Sequence, residues 1–444
     1  MTDPTHAASP ANLLRGDAAL VRAVGFIALT AAVINVTVGG GIFRAPSAVA
    51  ASMGTAAPLA FLAGALAIVP IALCFAAAGS RVSATGGPYT YTEAAFGPFA
   101  GFVAGALMWI TNVASSGAIA SALFDQVATA FPVLRTGTTR VVFLLALYAV
   151  LIALNAFGVK LGARAIVVLA TVKLTPLYIL AAVGLFFVDW GQVTWTIPSW
   201  PALGTSMVLV LFAYSGLETA LIPSAEVKDP SRDVPRATLA AIAMVVLLYL
   251  GIQIVCQGVL GPALATAGAP VASAAGALWS PGFGLLIATA SASMFGFMLG
   301  NLLGSSRLLF ALARDGFLPS PLARVTASYR VPLLAIIAHG GLGCALALAG
   351  SFEILAILSG GANAMVYVMV CIAAWRLQRS GRADHGNAFV LPGGPLIPLL
   401  SLAAMGAILY TLKPEEWTAI GIALGALVVI YGVLRGLRSR TPAN

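Results

Sequence analysis

Residues Thr37-Val38-Gly39-Gly40-Gly41-Ile42-Phe43-Arg44 interrupt an apolar segment that runs from about Leu20 to Ala51. Three consecutive glycines make a poor helix interior, each costing about 1 kcal/mol relative to alanine. Without a Cβ the backbone is free to unwind and lets another group approach closely. In hydrocarbon, unwound backbone is tolerated only where protein buries it or where it lines a cavity. A broken helix in a membrane protein is therefore first a candidate binding site. The alternative reading of the same residues is a small-residue patch for close helix packing.

The rest of the chain supplies the membrane. Of 444 residues, 60% are hydrophobic and 8% are charged, with a mean hydropathy of +1.00. Soluble domains carry about 25% charged residues. Apolar runs of about 20 residues fit membrane helices, whereas barrel strands would be shorter and alternating. Twelve spans are predicted, near 22–50, 55–79, 96–128, 140–158, 164–188, 203–226, 237–260, 281–313, 332–350, 352–376, 395–412 and 416–435. The first nineteen residues are polar and lack a signal-peptide layout, so the first apolar segment is expected to stay as a span.

Charge placement orients the spans. With the N-terminus in the cytoplasm, only Arg135, Arg140 and Lys413 fall outside and Arg44 and Lys173 within spans, leaving 18 of the 23 Lys and Arg on the inner side. That asymmetry puts both termini in the cytoplasm. The net charge of +9 then faces anionic lipid rather than nucleic acid. Cys74, Cys256, Cys344 and Cys371 sit in apolar segments without a CxxC pair, and His6, His339 and His385 have no metal-ligand spacing. No metal and no cofactor are expected.

Span six repeats the oddity of span one. It reads Leu211-Phe212-Ala213-Tyr214-Ser215-Gly216-Leu217-Glu218, with small residues and a carboxylate where plain apolar helix is expected. Interruptions at matching places in two five-span units point to an inverted repeat with its site between spans one and six, near the midplane. The expected organisation is a tail (1–19), a first repeat (20–190), a second repeat (191–380), two further spans (381–435) and a tail (436–444).

Four stretches resemble the amino acid–polyamine–organocation (APC) transporter family. Gly39-Gly40-Gly41-Ile42-Phe43 is similar to its Gly-Ser-Gly-Ile-Phe motif, with Gly40 in place of the usual Ser. Gly86-Gly87-Pro88-Tyr89 is similar to its Gly-Gly-x-Tyr loop. Phe212 to Glu218 and then Ala225 to Ala237 give the longest match, with Asp229 where Asn is more usual. Gly304 to Arg307 and Ala313 to Pro319 complete it, so the likeness covers about Gly25 to Arg382. It implies an all-α membrane protein of the LeuT-type fold, with broken helices one and six and two extra C-terminal helices. The implied activity is secondary active transport of amino acids by alternating access.

A zwitterionic amino acid needs donors for its carboxylate and acceptors for its ammonium. A helix restarted after the glycines offers free N–H groups and a positive dipole end, so the amides of Gly40, Gly41 and Ile42 are assigned to the carboxylate. The resemblance implies that the ammonium meets carbonyls of Thr37, Phe212, Ala213 and Ser215. With Gly39 and Gly216 these residues form the expected substrate site. The resemblance also makes Phe212 an aromatic lid over substrate; otherwise it is core packing.

Lys173 lies in mid-span, where insertion costs about 2.5–3.5 kcal/mol, so a buried partner is expected. The resemblance implies that it occupies the place where sodium-coupled relatives hold sodium, bridging span-one carbonyls and Ser293. Sodium-independent transport follows from that reading. Lys173 is then either a fixed structural cation or a coupling group. Glu218 is either a proton shuttle, an attractor of cations, or a hydrogen-bonded strut for the break. Arg44 either recruits carboxylate-bearing substrates, snorkels outwards or forms a structural pair. Asp229, Arg232, Asp233 and Arg236 are expected to form a solvated cytoplasmic cluster. Asn35, Asn112 and Asn301 are expected in interhelical hydrogen bonds.

The expected partners are a small-molecule amino acid or amine, the lipid bilayer, and a proton or counter-substrate. A polyamine carrier would want more acidic pocket residues than Glu218 alone. An intramembrane enzyme would need an HExxH, a GxSxG or paired intramembrane aspartates, and none is present. ATP-driven transport lacks a GxxxxGK[ST] motif. A channel or nutrient-sensing receptor on the same scaffold remains an alternative, and oligomeric state is not read from the sequence. The composition and short loops suggest a bacterial inner membrane.

Overall fold

Segments this apolar must satisfy their own backbone hydrogen bonds, and the chain does so with helices. The computed structural model describes residues 24–411 except 85, 157–162, 223–226, 327–330 and 385, together with scattered positions between 414 and 432. The tails 1–19 and 436–444, Lys160, Glu226, Lys413 and much of the span expected at 416–435 lie outside the described residues.

The first expected span is two helices, α1 (Phe26–Thr37) and α2 (Gly41–Met53). Gly54, at φ 57°, turns the chain into α3 (Ala57–Arg81). A short helix, α4 (Pro88–Phe96), precedes the long α5 (Pro98–Ala130). Then come α6 (Gly137–Ala156) and α7 (Ala163–Gly184). The sixth expected span is again two helices, α8 (Trp200–Tyr214) and α9 (Leu217–Ala220). It is followed by α10 (Pro230–Leu260), α11 (Pro270–Leu278), α12 (Ser280–Arg314), α13 (Leu333–Ala349), α14 (Phe352–Arg379) and α15 (Leu396–Tyr410).

By length and apolarity, 7 stretches among the described residues suffice to cross a membrane; α1, α13, α15 and the described part of α7 are apolar but shorter. The sequence does not foresee α4 and α11 as helices. Each has proline in its first turn, where the missing N–H costs nothing.

Small residues decide which helices sit inside. Along α5, Gly101 faces Glu93, Gly105 faces Tyr89 and Leu312, and Gly117 faces Leu355 and the Ala347 backbone. That helix is buried for most of its length against α4, α12, α13 and α14. By contrast α6 leaves Val141, Val142, Leu145 and Val150 exposed, an apolar outer surface suited to lipid. Of the two interrupted helices, α1 packs on α7 and α10, α2 on α8, and α8 on α3 and α14.

Gly216 shows how tightly they are held. Its φ is 131°, and a Cβ there would lie 2.8 Å from the Thr37 Cα. Replacing Gly216 by alanine combines a disfavoured dihedral, about 1–2 kcal/mol, with a backbone clash. The Gly216→Ala variant should therefore melt several degrees lower in detergent than the parent, measured by thermal unfolding.

Candidate functional site

In the first interruption, the Val38 N–H still bonds the Ile34 carbonyl at 2.8 Å, but Gly39 and Gly40 leave the helix. Gly40, at φ −151° and ψ −23°, precedes the restart at Gly41. The N–H groups of Gly39, Gly40, Gly41 and Ile42 carry no bond outside their helix among the described residues. Restarting helices expose such donors at a positive dipole end.

The carbonyls on the other side of the break are met by side chains from three helices. Lys173 of α7 donates from Nζ to Asn35 O at 2.7 Å and Val38 O at 2.9 Å. Tyr249 of α10 donates from its hydroxyl to Thr37 O at 2.8 Å. Ser293 of α12 donates from Oγ to Gly39 O at 2.7 Å and Val38 O at 3.2 Å. Lys173 and Ser293 thus share the Val38 carbonyl, and the serine meets that oxygen rather than the ammonium expected for it.

The second interruption is braced by a carboxylate. Ser215 is extended, and its N–H and Oγ both donate to Phe212 O, at 3.2 and 2.6 Å. The Gly216 N–H donates to both oxygens of Glu218 at 3.0 Å. Glu218 also accepts from Asn363 Nδ2 at 3.2 Å and from the Tyr367 hydroxyl at 2.9 Å, both on α14. It is fully buried and meets three donor groups, the geometry of the strut among its expected roles.

The two breaks touch. Gly216 lies against Val36 and Thr37, and a Cβ on Gly41 would fall 2.9 Å from the Ala213 Cα. On its other sides the glycine run faces Phe297, Ile119 and Met294 side chains. Phe212 reaches within 3.4 Å of the Gly41 Cβ position and packs edge-on to Phe352 at 5.8 Å. The structure therefore brings together the expected residues Thr37, Gly39, Gly40, Gly41, Ile42, Lys173, Phe212, Ala213, Ser215, Gly216, Glu218 and Ser293. Of the four carbonyls assigned to an ammonium, those of Thr37 and Phe212 already accept a protein donor. Each retains a second lone pair, and no donor to Ala213 O or Ser215 O is found among the described residues.

Further contacts join elements on either side of the site. Arg44 of α2 bonds the Glu353 carboxylate of α14 at 3.2 Å and Ala267 O at 2.7 Å, which gives it the structural pair among its expected roles. At the opposite end, Val24 pairs with Val227 in an isolated parallel bridge, and the Lys228 N–H donates to Val24 O at 2.9 Å. Asp229 caps α10 by accepting from the Arg232 N–H, and the Ser231 hydroxyl bond holds its carboxyl below the usual range.

Several residues here escape sequence reading. Tyr249, Asn363, Tyr367 and Glu353 give no motif signal; only Asn363, polar in an apolar run, could have drawn attention. Trp109 donates to His339 Nδ1 at 3.2 Å, and His339 Nε2 lies 3.0 Å from Asn301 Oδ1, tying α5, α13 and α12 together. Asn301 thus has the interhelical bond expected of it. Among the described residues Asn112 Nδ2 has no partner, and Asn35 takes part through its backbone carbonyl.

Comparison with known proteins adds to this geometry. A family described as amino acid permease matches residues 24–434. Similar proteins from Bacillus subtilis include the serine/threonine exchanger SteT, 28% identical over 433 residues, covering 94% of this chain and 98% of the relative. The methylthioribose transporter is 27% identical, with 92% and 93% covered. The branched-chain amino acid permease BcaP is 26% identical, with 87% of each covered.

The brace around Glu218 yields a prediction. Tyr367→Phe removes one donor from a buried carboxylate, a loss of about 1–3 kcal/mol. The variant should lose thermal stability in detergent while still inserting, measured by melting and by membrane yield.

Proposed function

This chain belongs to the amino acid permease family, and on that premise we propose that it is a secondary active transporter moving neutral amino acids by alternating access. As a permease it carries its substrate across a membrane without changing it. The observation that carries the reading is the meeting of two broken helices, with free N–H groups at Gly39 to Ile42 beside carbonyls of Ala213 and Ser215. Donors and acceptors a few residues apart suit a carboxylate and an ammonium on one carbon.

The architecture we propose is twelve crossings. Residues 20–190 form one five-helix unit and 191–380 an inverted second, with α1–α2 and α8–α9 as their broken first helices. Two further spans follow within 381–435. The arginine and lysine distribution supports placing both termini in the cytoplasm, and the short-looped composition supports a bacterial inner membrane.

Neutral substrates are favoured because the charges near the site are engaged. Glu218 serves Gly216, Asn363 and Tyr367, and Arg44 serves Glu353. The facing walls are Ile119, Met294, Phe297 and Phe212. A polyamine would find no free carboxylate among these groups, which disfavours an amine carrier. In its protonated form Lys173 supplies a cation to carbonyls that would otherwise suit a metal ion, which supports sodium independence. Coupling is assigned to protons, with Lys173 as the group that takes them up. Exchange of one amino acid for another is the second reading, favoured by the likeness to an exchanger.

Uptake into proteoliposomes tests this reading. Neutral aliphatic amino acids should compete for labelled uptake, whereas arginine, glutamate and putrescine should not. Replacing external sodium by choline should leave the rate unchanged, and an inward proton gradient should drive accumulation. Lys173→Met should abolish that accumulation. Saturable uptake of a charged amino acid in preference to neutral ones would overturn the substrate assignment.

A further inference from the structure

Three polar side chains of α10 follow one another at i, i+4 and i+8: Tyr249, Gln253 and Gln257. Residues so spaced lie on one stripe of a helix. Tyr249 ends on the Thr37 carbonyl. Gln253 is fully buried, and neither its Oε1 nor its Nε2 has a partner among the described residues. The Oε1 of Gln257, buried one turn further on, has none either. Each unmet buried polar group costs about 1–3 kcal/mol, which an aliphatic side chain at the same place would avoid.

The face of α10 towards α7 and the residues just after it is tightly packed, so the stripe does not serve packing there. Gly251 meets Ala181, Val255 meets Gly184, and Gly258 meets Val188. At its far end the stripe approaches a polar segment. Gln192 Oε1 lies 3.0 Å from the Cβ position of Gly261, the next residue of that stripe, and Gln192 Nε2 donates to Asp189 Oδ2 at 3.5 Å. Asp189 is exposed and Gln192 half-buried. From Gln257 to Tyr249 the stripe descends about 12 Å at 1.5 Å per residue.

We infer that Gln253 and Gln257 hold a file of water running from the outer face to the carbonyls that fix Lys173, and that this file is the outer proton route. Water fits because each molecule meets both a donor and an acceptor and needs two to four polar partners. The Gln253 amide offers one of each. At the inner end, the Tyr249 hydroxyl donates to Thr37 and turns its lone pairs to the file. The water next to Lys173 gives its proton to the lone pair of the neutral amine, forming the ammonium, and is reprotonated by the next water outwards; the Tyr249 proton stays on Thr37 O, so Tyr249 positions the file and does not relay through it. Facing that amine are the Asn35 and Val38 carbonyls and Ser293, with Tyr249 on the neighbouring carbonyl. Tyr214 stacks on Tyr249 at 5.1 Å, and Tyr178 of α7 donates to Met244 O. Glu218 is committed to the second break. The routing role rests on the proton-coupled reading above; the hydration does not.

Two measurements on the full-length protein in nanodiscs and proteoliposomes decide it. X-ray radiolytic hydroxyl labelling modifies buried side chains that adjoin bound water. Tyr249 should be labelled in the parent and about tenfold more slowly in Gln253→Leu, with Tyr214 unlabelled in both. An unlabelled Tyr249 in the parent overturns the file. In transport, Gln253→Leu should lose about tenfold of proton-driven accumulation while counterflow of preloaded substrate persists. Undiminished proton-driven accumulation overturns the route. A parent that exchanges but ignores the proton gradient sinks proton coupling and the route together, while a labelled Tyr249 still establishes the file. Should Gln253→Leu fail to fold, Gln257→Leu carries the same two readouts.

Discussion

Carbonyls released inside hydrocarbon must find donors, and the arrangement around the first broken helix follows from that need. Unwinding at Gly39 and Gly40 frees acceptors at Asn35, Thr37, Val38 and Gly39, each of which would be costly if left unmet. The answers come from a lysine, a tyrosine and a serine on three different helices. A local break thereby becomes a tertiary anchor, because α7, α10 and α12 are all positioned by where the α1 backbone points. The N–H groups beyond the break are not answered in this way. The asymmetry leaves donors at the first break, while the unmet acceptors beside it are the Ala213 and Ser215 carbonyls of the second, among the described residues.

The second break solves the converse problem. Gly216 presents an N–H, and the protein answers with the carboxylate of Glu218, held by Asn363 and Tyr367 of α14. The two breaks can touch because glycine stands at the contacts: Gly216 against Thr37, and Gly41 against Ala213. Any side chain at either position would push the interrupted helices apart. The glycine run thus serves both readings open to it from sequence, a break and a close-packing surface, at neighbouring residues.

Much of this is legible in the chain because the signals are local. Apolar run lengths mark the helices, the glycine run and Ser215-Gly216 mark the breaks, and a lysine or carboxylate in mid-span announces a buried partner. What is not legible is which partner. Tyr249 reads as one more aromatic in an apolar helix until its hydroxyl is seen on Thr37 O. Glu353 reads as a helix-start acid until it is seen beside Arg44, 309 residues earlier. Pairings of that kind are set by three-dimensional packing, which a single sequence does not record. The helices α4 and α11 were hidden for a different reason, being too short for apolar periodicity to separate from loop.

The contacts of Arg44 with Glu353 and of Val24 with Val227 differ in kind. Arg44 and Glu353 are joined by charged side chains, whereas Val24 and Val227 are joined through the peptide backbone. A backbone pairing survives almost any replacement of the residues that make it, provided the Lys228 N–H remains. An ion pair survives almost none. Evolution is therefore freer at one fastening than at the other: drift at positions 24 and 227 leaves the pairing in place, while drift at 44 or 353 must be matched by its counterpart. Ionic strength has the same bias, since salt screens charge and leaves an amide-to-carbonyl bond nearly untouched. One fastening is thus tunable by its surroundings and the other is fixed by the chain itself.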